Sequence, residues 1–185
     1  MKKLILFALI AFTILINPFV SSAQEKASAS SASIQTNSMA ENTEYNSQVR
    51  ILQSYLESKN SPLAPYASEF VSQAYKYDLD WRFVAAISGL ESSFGLAIPY
   101  NSYNGWGWGV YGDNVTRFSS WTEGIDTISQ GLRERYIDLW GKKDIYAIGS
   151  VYAASPTWAV RVSHFMNDIS RYGLSDTKNT LSLSF

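Results

Sequence analysis

Glu91 is the residue of this sequence whose type and position best suit acid–base chemistry. It ends an apolar-rich stretch that begins at Phe83, and a carboxyl group in that place is expected to be partly desolvated. Because desolvation disfavours the charged form, it raises the pKa of a carboxyl group. Such a glutamic acid stays protonated near neutral pH and donates a proton to a leaving oxygen, as cleavage of a glycosidic bond requires.

The segment that follows supplies aromatic rings at close spacing. Trp106, Trp108 and Tyr111 alternate with glycines. Ring faces of this kind stack on the apolar faces of sugars, and glycine lets the backbone approach a ligand closely. The same residues have ordinary explanations, because a glutamate at a helix end is usually solvated and tryptophans often belong to the core. Spacing alone leaves both interpretations open.

A second carboxylate for a two-acid mechanism is harder to find. Asp113 is the nearest candidate, but Gly112-Asp113-Asn114 is also ordinary turn chemistry. Glu123 fits a capping box that starts at Ser120, and Asp126 lies in the first helical turn, where negative charge is favourable. Asp113 is therefore the possible second acid.

Metal and cofactor chemistry are not expected. The sequence has no cysteine and one histidine, His164, so a metal site would need carboxylates alone. Without cysteine there are no disulfides, and the core alone must hold the fold together. We therefore expect no metal and no cofactor.

The elements that must position these residues are predicted to be mainly α-helical. Asp80 is suited to cap a helix, and the capping box at Ser120 starts another. Alternating glycines oppose a helix after Gly105, so we predict a small β-hairpin or extended loop with arms at 106–111 and 115–118. The spacing of apolar residues predicts helices within six ranges: 45–56, 66–77, 83–94, 120–139, 145–152 and 158–169.

The two ends of the chain are predicted to lie outside this helical domain, which we place at residues 45–173. Residues 1–23 have the pattern of a signal peptide, with two lysines before an apolar run that is short for a membrane span. Residues 24–44 are rich in Ser and Ala, so we expect a disordered linker, and 174–185 are expected to form a flexible tail. We expect a secreted or cell-envelope protein that contacts a membrane only if the signal segment is retained.

The charge balance argues against nucleic acid as a partner. The chain has 15 Lys and Arg residues against 16 Asp and Glu residues, a net charge of −1. Loss of Lys2 and Lys3 with the signal would bring the net charge to about −3. Since no block of basic residues is present, binding of nucleic acid through a broad electrostatic footprint is not expected.

Around Glu91 the chain resembles lysozyme-like peptidoglycan hydrolases and lytic transglycosylases. Glu91-Ser92-Ser93-Phe94 resembles the Glu-Ser-x-Phe signature with which a helix ends in that superfamily. Ser102 to Gly107 resembles the Asn-containing, Gly-terminated motif of its glucosaminidase family. The resemblance covers about residues 63–169 and includes these later landmarks: the segment from Phe118 to Ile125, Tyr136, Tyr152-Ala153, Pro156, Trp158 and Ala159.

The resemblance implies a mainly α, lysozyme-like domain with a hairpin or glycine-rich loop over the active-site groove. It implies an endo-β-N-acetylglucosaminidase that acts as a monomer on β-1,4 bonds of peptidoglycan or a related N-acetylhexosamine glycan, with Glu91 as general acid. Tyr152 resembles the family tyrosine near the acid, although a core tyrosine is an equal alternative. The implied substrate-binding residues are Ser93, Tyr103, Asn104, Trp106, Trp108 and Tyr111.

The chain departs from many glucosaminidases in one respect. They carry a longer segment with another acidic residue, whereas the stretch from Ser92 to Tyr103 here has none. One-acid routes therefore stay open: participation of the substrate's N-acetyl group, or the intramolecular attack by which lytic transglycosylases form anhydro-muramyl ends. A non-catalytic glycan-binding domain of the cell wall is the alternative from another class.

Overall fold

The computed structural model describes residues 21–110 and 114–182, with side chains described for residues 39–110 and 114–175. The predicted signal segment therefore lies almost wholly outside the described residues. Tyr111 and Asp113 also lie outside them. Of the helices that are described, none has both the length and the apolar character needed to cross a bilayer.

The described part of the chain is mainly α-helical, as predicted, and contains no β-strand. A 3₁₀ turn, Ala64–Tyr66, precedes α2, and a π-helical segment, Gly131–Leu139, continues α4. The α-helices are α1 (Ser21–Ser58), α2 (Ala67–Lys76), α3 (Phe83–Ser92), α4 (Trp121–Gln130), α5 (Ile145–Tyr152) and α6 (Trp158–Ser182).

The predicted hairpin is not confirmed in the described residues. Residues 105–106 and 108–109 form turns, and 115–118 have no regular secondary structure. Gly107 and Gly109 have φ angles of +63° and +59°, so the backbone reverses where a strand would extend. Within the described residues, the segment 102–110 is a turning, glycine-rich backbone, and it is called the glycine-rich loop below.

The first and last helices extend beyond the predicted domain limits. Helix α1 includes the predicted linker, 24–44, and α6 continues through residues 174–182 of the predicted tail. Ala, Glu, Lys and Gln form helices at little cost, so such polar stretches are compatible with a helical backbone. The contacts divide the chain into two units between Glu41 and Asn42. The linker and the tail stay predictions.

Helix α3 is the centre of the second unit. Every residue from Phe83 to Gly89 is buried, as expected for a helix that is apolar on nearly all sides. It packs against α2, α4 and α6. The large side chains that are fully buried in the core include Leu52, Leu56, Leu63, Phe70, Ile87, Trp106, Ile125, Ile128, Leu132 and Ile169.

The end of α3 is an abrupt reversal of the chain. Ser93, Phe94 and Gly95 have φ angles of +53°, +60° and +84°, which stop the helix. The Phe94 ring folds back over the helix at Gly89, where an added Cβ would lie only 2.5 Å from that ring. The reversal leaves Glu91 at the rim of the helix end.

Helix α4 begins as the capping box predicts. The hydroxyl oxygen of Ser120 accepts the N–H of Glu123 at 3.1 Å. At Gly131 the helix widens into the π-helical segment. Such segments are rare in proteins, and those that occur are often at functional sites. This segment carries Arg135 and Tyr136 to the cleft described below.

Candidate functional site

Glu91 lies in the last turn of α3, where the buried helix reaches the surface. Its side chain is exposed, and its Oε1 accepts a hydrogen bond from the indole N–H of Trp158 at 2.7 Å. The prediction of a partly desolvated carboxyl group is therefore corrected, because in the last turn of α3 Glu91 lies on the side that is open to solvent, whereas the next residue, Ser92, is buried. Glu91 is accessible to a ligand and held by a neutral donor.

Trp158 and Tyr152 form a stacked pair behind this carboxyl group. Trp158 begins α6 and is 2% exposed, and Tyr152 ends α5. The ring centroids are 4.7 Å apart, with planes inclined by 28°. The Tyr152 hydroxyl donates to the carbonyl oxygen of Trp106 at 2.9 Å. One stack therefore links α5, α6 and the glycine-rich loop to Glu91.

The Tyr152 hydroxyl is a stable proton donor. Burial is the main cause that raises the pKa of this hydroxyl well above its usual value. Electrostatic repulsion from Glu91 and Tyr136 raises the pKa further. Tyr152 therefore keeps its proton across the physiological range. The structure brings Tyr152 and Glu91 together, and the bond that the hydroxyl makes is to the backbone of the loop.

Ser92 fastens the loop to the end of α3. Its hydroxyl donates to the carbonyl oxygen of Gly105 at 2.7 Å and accepts the N–H of Gly95 at 2.9 Å. The side chain is 4% exposed. Because Ser92 follows Glu91 directly, the loop is fixed beside the candidate acid.

Asn104 organises the loop from within. Its amide nitrogen donates to the carbonyl oxygens of Trp108 and Thr116 at 2.8 and 2.9 Å. Its amide oxygen accepts the N–H groups of Trp108 and Trp106 at 3.1 and 3.3 Å. With 2% exposure and its polar atoms occupied by backbone, Asn104 shapes the loop, which corrects the expectation that it binds substrate.

Trp106 belongs to the core. It is 0% exposed, and its indole N–H donates to the carbonyl oxygen of Val84 in α3 at 2.9 Å. Its ring meets Phe118 and Trp121 edge-on, with centroids 6.5 and 6.2 Å away. The expectation that this ring stacks on a sugar is corrected, because the ring is enclosed by core side chains and has no exposed face.

Gly107 brings bare backbone next to the candidate acid. Its φ angle of +63° is one that favours glycine. A Cβ atom added there would lie 3.6 Å from Oε2 of Glu91. Glu91 therefore has one oxygen bound to Trp158 and the other facing the loop.

Trp108 lines a cleft of about 280 Å³ between the loop, the π-helical segment and the end of α5. It is half-buried, with its ring centroid 6.0 Å from that of Tyr136 and 6.1 Å from that of Tyr152. The close approach of its ring to Gly131 requires glycine, since an added Cβ would lie 2.7 Å from the indole. The other lining residues are Gly107, Gly109, Val110, Arg135 and Val151.

The remaining predicted residues are more scattered. Ser93 is exposed next to Glu91. Tyr103 is 38% exposed and meets Trp121 edge-on, with centroids 5.5 Å apart, and it does not line the cleft. The predicted substrate-binding Tyr111 and the possible second acid Asp113 lie outside the described residues.

Other polar clusters of the described chain lie elsewhere. Asp126 is paired with Lys76 at 2.9 Å, and Glu123 accepts the N–H of Ser119 at 2.6 Å. In the described ranges, no three His, Asp or Glu side chains lie close enough to hold a metal ion. A larger cavity, of about 430 Å³, lies at the start of α3 beside Phe83, far along the helix from Glu91.

Two residues that sequence reasoning did not place in the site are Trp158 and Ser92. Both stood in the motifs on which the resemblance rests, but neither carries a titratable group or an exposed ring. Arg135 was also missed, because one arginine in a helical pattern gives no signal. Only the tertiary contacts reveal these roles.

The sequence matches no protein-family model, and no curated protein sequence matches it.

Proposed function

We propose that this protein is an exported enzyme that cleaves β-1,4 bonds of peptidoglycan glycan strands, with Glu91 as general acid. The observation that carries the proposal is the accessible carboxyl group of Glu91, held by Trp158 beside the bare backbone of Gly107. The aromatic cleft lined by Trp108 and Tyr152 supports it, since such rings stack on sugars. The resemblance to lysozyme-like glucosaminidases points to the same chemistry.

The chemistry needs one carboxyl group. Glu91 gives its proton to the glycosidic oxygen as the C1–O bond breaks, and the leaving sugar departs with a new hydroxyl. In hydrolysis, the acetamido oxygen attacks C1, water then opens the cyclic intermediate, and a proton returns to Glu91. In lytic transglycosylation, the sugar's own 6-hydroxyl attacks C1 and gives its proton to Glu91. Either route suits a chain without an acidic residue from Ser92 to Tyr103.

The cleft also favours an anionic glycan. Arg135 is the charged residue among those that line it, and its neighbours Trp108, Tyr136 and Tyr152 are aromatic. Muramic acid carries a lactyl carboxylate or the peptide attached to it, whereas chitin carries no charge. A guanidinium group forms strong bonds with carboxylates, so the cleft is suited to strands that contain muramic acid.

The test is digestion of purified cell walls followed by mass spectrometry of the products. Reducing N-acetylglucosamine ends indicate a glucosaminidase, and reducing muramic acid ends indicate a muramidase. Anhydro-muramic acid ends indicate a lytic transglycosylase. If no wall yields a product while the protein still binds glycan strands, the non-catalytic binding domain replaces the enzyme.

Export is part of the proposal. It rests on the signal-like pattern of residues 1–23, after which the mature chain would begin near Gln24. Sequencing of the N-terminus of the exported protein tests this. An intact Met1 in the membrane-bound protein would show that the segment is retained.

A further inference from the structure

The contacts of Trp158 are more specific than core packing requires. Its indole is almost wholly buried, yet its one polar atom points at Oε1 of Glu91, 2.7 Å away. An indole N–H donates and cannot accept, so Oε1 is the acceptor in this bond. The other oxygen, Oε2, faces Gly107.

We propose that Trp158 is a positioning residue that makes Oε2 of Glu91 the oxygen that delivers the proton. The inference rests on the proposed function, in which Glu91 is the general acid. When a carboxyl group is protonated, its carbonyl oxygen is the better acceptor, and its hydroxyl oxygen carries the hydrogen. The bond from Trp158 to Oε1 is therefore best kept when the proton is on Oε2.

The surroundings of Oε2 suit this role. A Cβ atom added at Gly107 would lie 3.6 Å from Oε2. Because glycine leaves this position empty, a glycosidic oxygen can approach Oε2 from the side of the loop. Gly107 also lines the cleft of Trp108, so a sugar strand bound there would pass close to Oε2.

The bond from Trp158 also strengthens as the reaction proceeds. When the proton leaves Oε2, the carboxyl group becomes a carboxylate, and the bond at Oε1 becomes charge-assisted, which is roughly twice as strong as a neutral one. An interaction that is stronger in the transition state than in the ground state raises the turnover number rather than the affinity. The expected signature is a change in kcat with little change in KM.

The indole is held rigidly enough for this function. It stacks on Tyr152, whose hydroxyl is tied to the backbone of Trp106. On its other side Gly149 of α5 leaves room for the ring, since an added Cβ would lie 2.9 Å from Cε3 of Trp158. The direction of the N–H is therefore fixed by α5 and α6 before a substrate binds.

The kinetic test compares Trp158→Phe with Trp81→Phe. Trp158→Phe keeps a ring against Tyr152 but removes the N–H, and Trp81 is a partly buried tryptophan just before α3, one helix length from Glu91. We expect Trp158→Phe to lower kcat for wall digestion at least about tenfold with KM within about twofold, since small misplacements of a catalytic group can cost more than this. Trp81→Phe is expected to retain the parent's kcat.

A spectroscopic test does not depend on activity. In a protein labelled with ¹⁵N at the indoles, the peak lost in Trp158→Phe belongs to Trp158. At a pH at which the carboxyl group of the parent is ionised, Glu91→Gln replaces a charged acceptor by a neutral one, and this peak is expected to move upfield more than the other indole peaks. Glu57→Gln, an exposed change on α1, is expected to leave it in place.

The outcomes separate the two proposals. A parent protein without product overturns the proposed function. An active parent whose kcat is unchanged by Trp158→Phe overturns the inference on Trp158 alone. The inference on Trp158 is also overturned if the Trp158 peak moves no more in Glu91→Gln than in Glu57→Gln.

Discussion

The indole N–H of Trp158 and the carboxyl group of Glu91 are joined by a hydrogen bond of 2.7 Å between residues 67 positions apart in the sequence. The bond connects the last turn of α3 to the first turn of α6, and these two helices pack against each other. A change in that packing would therefore move the candidate acid. The hydrogen bond thus couples the helix packing of the core to the site.

Glu91→Gln is expected to reduce glycan cleavage by at least about 10²-fold, the scale of general acid catalysis, because the amide has no acidic proton to give. The free energy of unfolding is expected to change by less than about 0.5 kcal/mol, since the side chain is exposed. Release of muropeptides from purified walls measures the first effect and urea denaturation the second. If Glu91→Gln clears walls as fast as the parent, Glu91 is not the general acid.

Asp113→Asn separates a one-acid from a two-acid mechanism. A mild loss of activity supports one acid, and a loss as deep as that of Glu91→Gln indicates two.

Gly107→Ala is expected to impair catalysis beyond its effect on stability. Gly107 has a φ of +63° and Gly141 one of +64°, so alanine brings the same backbone strain, about 1 kcal/mol, to both positions. The added Cβ meets Oε2 of Glu91 at 3.6 Å in the first case and nothing within 4 Å in the second. We expect both variants to lose the same amount of thermal stability. Only Gly107→Ala is expected to lose kcat. Equal activity of the two variants would show that the space beside Oε2 is not used.

Trp106→Ala and Trp108→Ala are expected to act on different properties. Truncation of the fully buried Trp106 should lower the free energy of unfolding by about 3–5 kcal/mol. Trp108 is half-buried in the cleft, so its truncation should weaken binding of glycan fragments, by about 1 kcal/mol for a lost stacking contact, with a smaller loss of stability. Denaturation and calorimetric titration measure the two quantities. The assignment of Trp108 would be wrong if its variant lost stability but kept the affinity.

Asp80→Asn is expected to reduce stability at neutral pH and to have less effect in acid. Burial acts to raise the pKa of Asp80, but hydrogen bonds from Arg82, at 2.8 Å from Nε and 3.0 Å from the backbone N–H, outweigh it and hold the pKa below its usual value. A carboxylate with a depressed folded-state pKa stabilises the fold above its unfolded pKa, near 3.9, and this contribution is lost as the pH falls through the folded pKa. Since the pair is partly exposed, we expect a difference of no more than about 1 kcal/mol at pH 7.

Urea denaturation of the parent and of Asp80→Asn at pH 7 and at about pH 3 measures this difference. The gap between the two proteins should narrow at the lower pH. A gap of the same size at both values would show that ionisation of Asp80 does not contribute.

Much of the fold was predictable because the helices are coded locally. The apolar spacing around Ile87 and Ile125 and the cap at Ser120 each lie within one helix, so a short window of sequence contains the signal. The hairpin is not confirmed, because alternating glycines fit both a hairpin and a looped backbone, and its predicted turn lies outside the described residues. In the described residues the positive φ angles of Gly107 and Gly109 give a looped backbone, which the hydrogen bonds of Asn104 stabilise.

By itself, the sequence determined a mainly helical chain and identified Glu91 as a candidate acid followed by aromatic rings, because residue type and spacing are properties of a short segment. The tertiary structure alone decided that Glu91 is exposed, that Trp106 fills the core while Trp108 lines a cleft, and that Trp158 holds one carboxyl oxygen. The reason is that burial and hydrogen bonding depend on how α3, α5 and α6 pack, and residues that meet there are far apart in the chain.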